Sequence, residues 1–135
     1  TTTEREHIKQ TLAATGELLW VEKETQLDAV TALSGSGPAY VFYFLEAMVD
    51  AGTALGLSRD QAYTLALGTF GGATALASQS ADAPEVLRQR VTSKGGTTYA
   101  AITSMEQNEI KEKFVAAMAA ACNRAQELGV EFGRG

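Results

Sequence analysis

SGSGPAYVFYFLEAMVDAGTALGL (residues 34–57) runs directly into SRDQAYTLALGTFGGATALASQSA (residues 58–81), and together they carry only four charged side chains: Glu46, Asp50, Arg59 and Asp60. Pro38 suits the first turn of a helix, where its missing N–H has no intrahelical acceptor to lose. The seventeen residues after it contain no proline and a single glycine, Gly52, so the spacing predicts one long helix. Glu46 and Asp50 are four apart and share one narrow stripe, while Tyr40, Phe42, Tyr43, Phe44, Leu45, Met48, Val49 and Leu55 cover the rest of its surface. Such a helix should be buried on most sides. Ser58 and Gln61 then have capping-box spacing, and residues 61–81 hold no charge at all. The interior of this second helix is small, with Gly68, Gly71 and Gly72 set among alanines. Each helical glycine costs roughly 0.5–1 kcal/mol against alanine, so three of them imply close backbone approach to a neighbouring helix.

Both segments approach the roughly 20 residues that span a bilayer. Glu46 and Asp50 would then sit near mid-span, at about 2.5–3.5 kcal/mol for an aspartate, and five hydroxyl or amide side chains between Thr64 and Gln79 dilute the second segment. A membrane role is therefore set aside. A chain of 135 residues has too little other apolar surface to wrap two such helices, so a second copy is expected to do part of the wrapping.

Outward from this pair, Ile8 and Leu12 lie four apart, Thr3 and Glu6 have capping-box spacing, and Gly16 stands where a helix would end, which predicts a short helix over about residues 4–15. Residues 17–22, ELLWVE, form an apolar run too short for a helix and suited to a strand at Leu18 to Val21. It is the one convincing strand in the chain, and an orphan, since a lone strand cannot satisfy its own backbone groups. Residues 1–27 thus read as the tail of another unit, and residues 28–135 as an all-α helical bundle. On the other side, Pro84 opens a short helix to about Val91, and Gly95-Gly96 breaks the chain before a helix over about residues 97–106. A last helix begins near Glu109 and is capped by Gly129. Its stripe of Ile110, Phe114, Met118, Ala121, Cys122, Ala125 and Leu128 recurs at steps of three and four.

The chain has 11 Lys and Arg against 16 Asp and Glu, a net charge of −5, which repels nucleic-acid backbones and anionic lipid headgroups. One cysteine, Cys122, and one histidine, His7, leave no disulfide framework, no metal site and no ready Ser-His or Cys-His pair. Cys122 reads as a small core residue and His7 as solvated. No leader is expected, because no basic stretch and apolar core follow Thr1, and a cytoplasmic setting is the default.

One local anomaly remains. No acidic residue falls between Glu85 and Glu106, so Arg88, Arg90 and Lys94 form a positive island in an acidic protein. At its centre VTSKGGTT (residues 91–98) is a glycine- and hydroxyl-rich turn leading into a helix. Free N–H groups at a helix start favour an anion, glycines let it come close, and Ser93, Thr97 and Thr98 offer hydroxyls. A carboxylate or a phosphate fits that description, as does a plain capped helix with a flexible joint. The lysine precedes the glycines, so this is not a Walker loop. Gly35-Ser36-Gly37 is likewise no dinucleotide fingerprint, because Tyr40 stands at the final glycine and no βαβ unit surrounds it. The Glu46/Asp50 pair reads as a solvated stripe or an interface contact rather than an acid and base.

Taken together, DAVTALSGSGPAY (residues 28–40) and VTSKGGTT (residues 91–98) closely resemble the C-terminal part of pyrroline-5-carboxylate reductase, over about residues 16–129. The resemblance implies an interlocked, all-helical dimerisation and substrate domain, with the preceding helix and strand left from a Rossmann domain whose fingerprint is absent here. It implies NADPH or NADH as cofactor, held mainly by that absent domain, and reduction of 1-pyrroline-5-carboxylate to L-proline. It implies a homodimer, with dimers free to assemble further. By similarity, the substrate carboxylate would sit on Ser93, Gly95, Gly96, Thr97 and Thr98. The Thr98 hydroxyl would face the ring nitrogen as the catalytic group, and Arg90 would help hold substrate or cofactor. Lys94 departs from the proline common at its position, which loosens the turn and leaves its hydroxyls and glycines intact. Two further readings stand beside this one: a non-catalytic oligomerisation module, and the helical domain of another two-domain dehydrogenase.

Overall fold

The computed structural model describes residues 2–16 and 18–133, and every regular element among them is helical. Helix α1 (Thr2–Leu12) ends in a 3-10 turn (Ala13–Thr15), after which an irregular stretch leads to α2 (Gln26–Val30) and a π turn (Thr31–Gly35). Then follow α3 (Gly37–Ala54), α4 (Arg59–Ser78), α5 (Pro84–Arg90), α6 (Thr97–Gln107) and α7 (Ile110–Phe132).

Helices α3 and α4 form a hairpin whose turn is set by identifiable backbone chemistry. Gly56 takes φ +98°, its N–H donates to the Thr53 carbonyl at 3.0 Å, and the Leu57 N–H donates to the Gly52 carbonyl at 3.1 Å. That nested pair is a Schellman stop, which only glycine enters without strain. Two residues later Ser58 accepts from the Gln61 N–H at 3.2 Å, while the Gln61 side chain accepts from the Ser58 N–H at 2.9 Å. The capping box expected from sequence is thus complete.

The fully covered core is small: Leu45 and Val49 of α3 against Ala62 and Ala66 of α4, with Phe70 packed alongside and Ala32 buried separately. The close approach that the glycines of α4 were expected to make falls instead at Gly52 of α3. A Cβ there would lie 2.8 Å from the Ala62 Cβ, whereas Gly68, Gly71 and Gly72 face open space within this chain. Helix α7 lies against α2, the π turn and α6. All of its expected stripe beyond Ile110 is half-buried, and Phe114 receives Tyr40 and Phe44 of α3 edge-on, with ring centroids 5.8 and 5.4 Å away. On its outer face Glu127 and Glu131 bond Arg124 and raise its already high pKa further.

Three expectations need correction. The strand at Leu18 to Val21 does not form; residues 18–21 are irregular, because no second strand exists among the described residues to accept its hydrogen bonds, and Glu17 lies outside them. Trp20 instead takes the Arg5 guanidinium over its ring at 5.3 Å. Gly129 does not end α7, which runs on to Phe132. Nor is α3 covered on most sides within one chain: Phe42 is 61 % and Tyr43 69 % exposed, as is Leu65 of α4 at 59 %. The chain exposes 10949 Å², about 4,000 Å² more than the roughly 6,800 Å² of a compact monomer of its mass. No helix among the described residues is long and apolar enough to cross a membrane.

Gly52→Ala should therefore destabilise the hairpin by about 1–3 kcal/mol despite alanine's better helix propensity, because the new methyl meets a second helix that cannot yield. Gly68→Ala meets nothing within the chain, so any destabilisation it causes reports a contact made by a second copy. Urea midpoints of the two variants check the difference.

Candidate functional site

The loop from α5 to α6 is built by a four-residue turn. The Gly96 N–H donates to the Ser93 carbonyl at 3.0 Å, and Gly95, at the third position, takes φ +75°. That combination is a type II turn, which needs a residue tolerant of positive φ where Gly95 stands. Gly96 serves a different purpose. A Cβ on it would lie 2.6 Å from the Ser93 Oγ and 3.2 Å from the Ser93 carbonyl oxygen, so the turn closes this tightly only without a side chain there.

Gly96 is also the N-cap of α6, in extended conformation and with no side chain capping the helix. Its carbonyl accepts from the Ala100 N–H at 3.1 Å, which is the first intrahelical bond. The N–H groups of Thr97, Thr98 and Tyr99 consequently have no acceptor among the described residues. They point out of the positive end of an eleven-residue helix, with Thr97 and Thr98 exposed beside them. Ser93, Gly95, Gly96, Thr97 and Thr98 are thus brought into one turn and one helix start. Three donors and up to three hydroxyls on a short arc match the oxygens of a carboxylate.

The positive island proves smaller than the sequence suggests. Arg88 bonds Glu106 of α6 at 3.0 Å. Arg90 grips Asp82 with both nitrogens, the Nη2 to Oδ1 bond being 3.2 Å, and Asp82 is further held by the Ser80 hydroxyl at 2.9 Å. Lys94 alone is outside any ion pair among the described residues. Asp82 and Glu106 flank the island in sequence at distances of eight and eighteen residues from their arginines, and only the first spacing hints at a contact.

The remaining candidates assemble nothing catalytic. Asp50 faces Arg59 at 3.6 Å, and Glu46 lines a groove of about 310 Å³ between α3 and α4 together with Phe42, Arg59 and Tyr63. A second groove of about 450 Å³, missed from sequence, runs between Phe44, the Arg88–Glu106 pair and Ile110. Gly35 closes the π turn and Gly37 opens α3, with no strand beside them among the described residues. Cys122 is half-buried on the inner stripe of α7, and His7 is exposed on α1. Among the described residues no three His, Cys, Asp or Glu side chains gather in a group able to hold a metal.

Against known proteins, the family described as pyrroline-5-carboxylate reductase dimerisation matches residues 24–128. The pyrroline-5-carboxylate reductase of Pseudomonas aeruginosa is 48 % identical over 129 residues, which is 96 % of this chain and 47 % of that protein. That of Arabidopsis thaliana is 44 % identical over 115 residues, or 85 % and 41 %. Among solved structures, a pyrroline-5-carboxylate reductase from Coxiella burnetii superposes with a TM-score of 0.90 at 40 % identity, covering 95 % of this chain and 47 % of that one. A Plasmodium falciparum pyrroline carboxylate reductase with NADP bound gives 0.85 at 32 % identity, covering 96 % and 49 %. The chain spans about half the length of the curated relatives it matches.

Gly96→Ala should break the Ser93–Gly96 hydrogen bond and cost about 1–2 kcal/mol, because the methyl collides with a backbone carbonyl as well as a hydroxyl. Loss of amide-exchange protection at Gly96, with α3 and α4 unaffected, is the expected signature.

Proposed function

Because the chain belongs to the pyrroline-5-carboxylate reductase dimerisation family, we propose that it is the subunit-pairing and substrate-binding half of a reductase that turns 1-pyrroline-5-carboxylate into L-proline. The observation that carries this reading is the coincidence of that match with an uncapped helix start at residues 96–99, open to a carboxylate. In this reading the substrate carboxylate accepts from the N–H groups of Thr97, Thr98 and Tyr99, assisted by the Ser93 and Thr97 hydroxyls, while Gly95 and Gly96 let it approach. The Thr98 hydroxyl faces the ring nitrogen and fixes which face of the ring is presented. Protonation of the imine makes its carbon electrophilic, so this chain's task is orientation rather than proton abstraction. No histidine or carboxylate pair is required for that task.

NADPH or NADH supplies the hydride when bound. The residues present do not fit a dinucleotide by themselves: no strand, glycine loop and helix unit occurs among the described residues, and Arg90 is already engaged by Asp82. Cofactor binding is assigned to a nucleotide-binding domain outside this chain, with residues 1–27 as its tail and Arg90 at its rim. The fragment alone is accordingly inactive. The uncovered faces of α3 and α4 are assigned to a second copy, giving a homodimer able to assemble further, in the cytoplasm.

Turnover of 1-pyrroline-5-carboxylate with NADPH or NADH, measured on the product of the complete reading frame, tests the reading. Thr98→Ala in that enzyme should lower kcat/KM by about 10- to 100-fold, the loss of one hydrogen bond to a charged group, with NADPH affinity unchanged. Light scattering of the present chain at micromolar concentration should give twice 14.2 kDa. Titration with L-proline separates the reductase from a plain oligomerisation module, since only the former expects saturable shifts at residues 93–98.

A further inference from the structure

Lys94 occupies the second position of the turn Ser93-Lys94-Gly95-Gly96. Glu109 is the one non-glycine residue with positive φ among the described residues, so Lys94 has ordinary negative φ while Gly95 stands at +75°. The second position of a type II turn is where proline fits best, because its ring already holds the required φ. Lysine gives the backbone nothing there and adds conformational freedom to the unfolded chain. Its contribution must lie in the side chain.

That side chain is exposed and outside any ion pair, whereas Arg88 and Arg90 are neutralised by Glu106 and Asp82. Lys94 is therefore the uncompensated positive charge of the island, in a protein of net charge −5. It lies two residues before the N-cap of α6, so its Cα is within about 7.5 Å of Gly96. That is inside the screening length of about 8–10 Å at moderate ionic strength.

We propose that Lys94 is an electrostatic capture residue: its ammonium draws the carboxylate of the substrate to the open N–H groups of α6 and holds it on arrival, without taking part in the chemical step. The proposal rests on the reductase reading and adds to it a residue that acts through charge alone. Its field acts on the carboxylate end of the substrate and opposes the repulsion that an acidic surface exerts on that group. A charge of this kind at the rim of a site alters encounter and affinity and is erased by salt.

The test uses the complete enzyme with Lys94→Gln, Lys94→Pro and Lys94→Arg. At low ionic strength Gln and Pro should each raise KM for 1-pyrroline-5-carboxylate about two- to five-fold with kcat unchanged, and Arg should restore the wild-type KM. In about 0.5 M salt the wild type should rise to meet the variants, since screening then acts within a few ångströms. The Pro variant carries the argument, because it removes the charge while keeping the turn. An unchanged KM for Gln or Pro at low salt overturns the proposal, as does a defect that persists at high salt, which would mark a role for turn shape. Either result leaves the reductase reading standing as long as the wild type turns over; a wild type without turnover removes both.

Discussion

Everything in this chain follows from a shortage of cover. Helices α3 and α4 are apolar on most of their surface, yet they meet along a line of small side chains, Gly52, Ala62 and Ala66, with Leu45 and Val49 as the only large buried partners. Small residues bring helix axes close, and close axes leave the outer aromatic and leucine faces unopposed. Of the helices that remain, α7 reaches Tyr40 and Phe44 through Phe114 and leaves Phe42 and the outer leucines of α4 uncovered. α5 and α6 have no buried residue, and α7 packs its stripe against α2, the π turn and α6. An excess of exposed area on this scale belongs to chains that fold as part of an obligate assembly, where the interface resembles a core cut in half. The match to a dimerisation family agrees with that shortage.

Local signals carried the helices, and absent partners defeated the rest. The start of α3 at Gly37-Pro38, the capping box of α4 and the three-and-four stripe of α7 rest on contacts within one or two turns, so they are readable from spacing alone. The strand at Leu18 to Val21 was inferred from composition, but a strand is a relation between two segments, and the second is not among the described residues. The glycines of α4 pose the same problem in another form. Spacing announces that something comes close, without saying whether it belongs to the same chain. The π turn at Thr31–Gly35 had no legible signal, since the shift from a four- to a five-residue repeat, closed by the Ser36 N–H donating to the Thr31 carbonyl, leaves no mark in residue spacing.

The candidate site divides along similar lines. Its turn was legible because positive φ at Gly95 and the tight contact at Gly96 demand glycine at those positions, and sequence displays glycine directly. Its electrostatics were not. A run without acidic residues looked like a strongly positive island, but Asp82 and Glu106 reach back through space and cancel two of its three charges. Charge counted along the chain overstates the field wherever a loop folds back on its neighbours.

The two themes meet at the first turn of α6. In the chain alone its three open N–H groups face water, and exchanging water for a carboxylate there yields little net free energy. The same bonds strengthen as the surroundings become less polar, because charge-assisted hydrogen bonds are screened less in a low dielectric. On the proposed reading, the nucleotide domain that closes over the substrate would lower the polarity around these N–H groups, with Lys94 left at the rim. The feature that makes the isolated chain incomplete as a folded unit then also makes it incomplete as a site. On that reading a single event, the arrival of cover, would supply both the missing burial and the less polar environment in which three backbone donors would hold a carboxylate firmly.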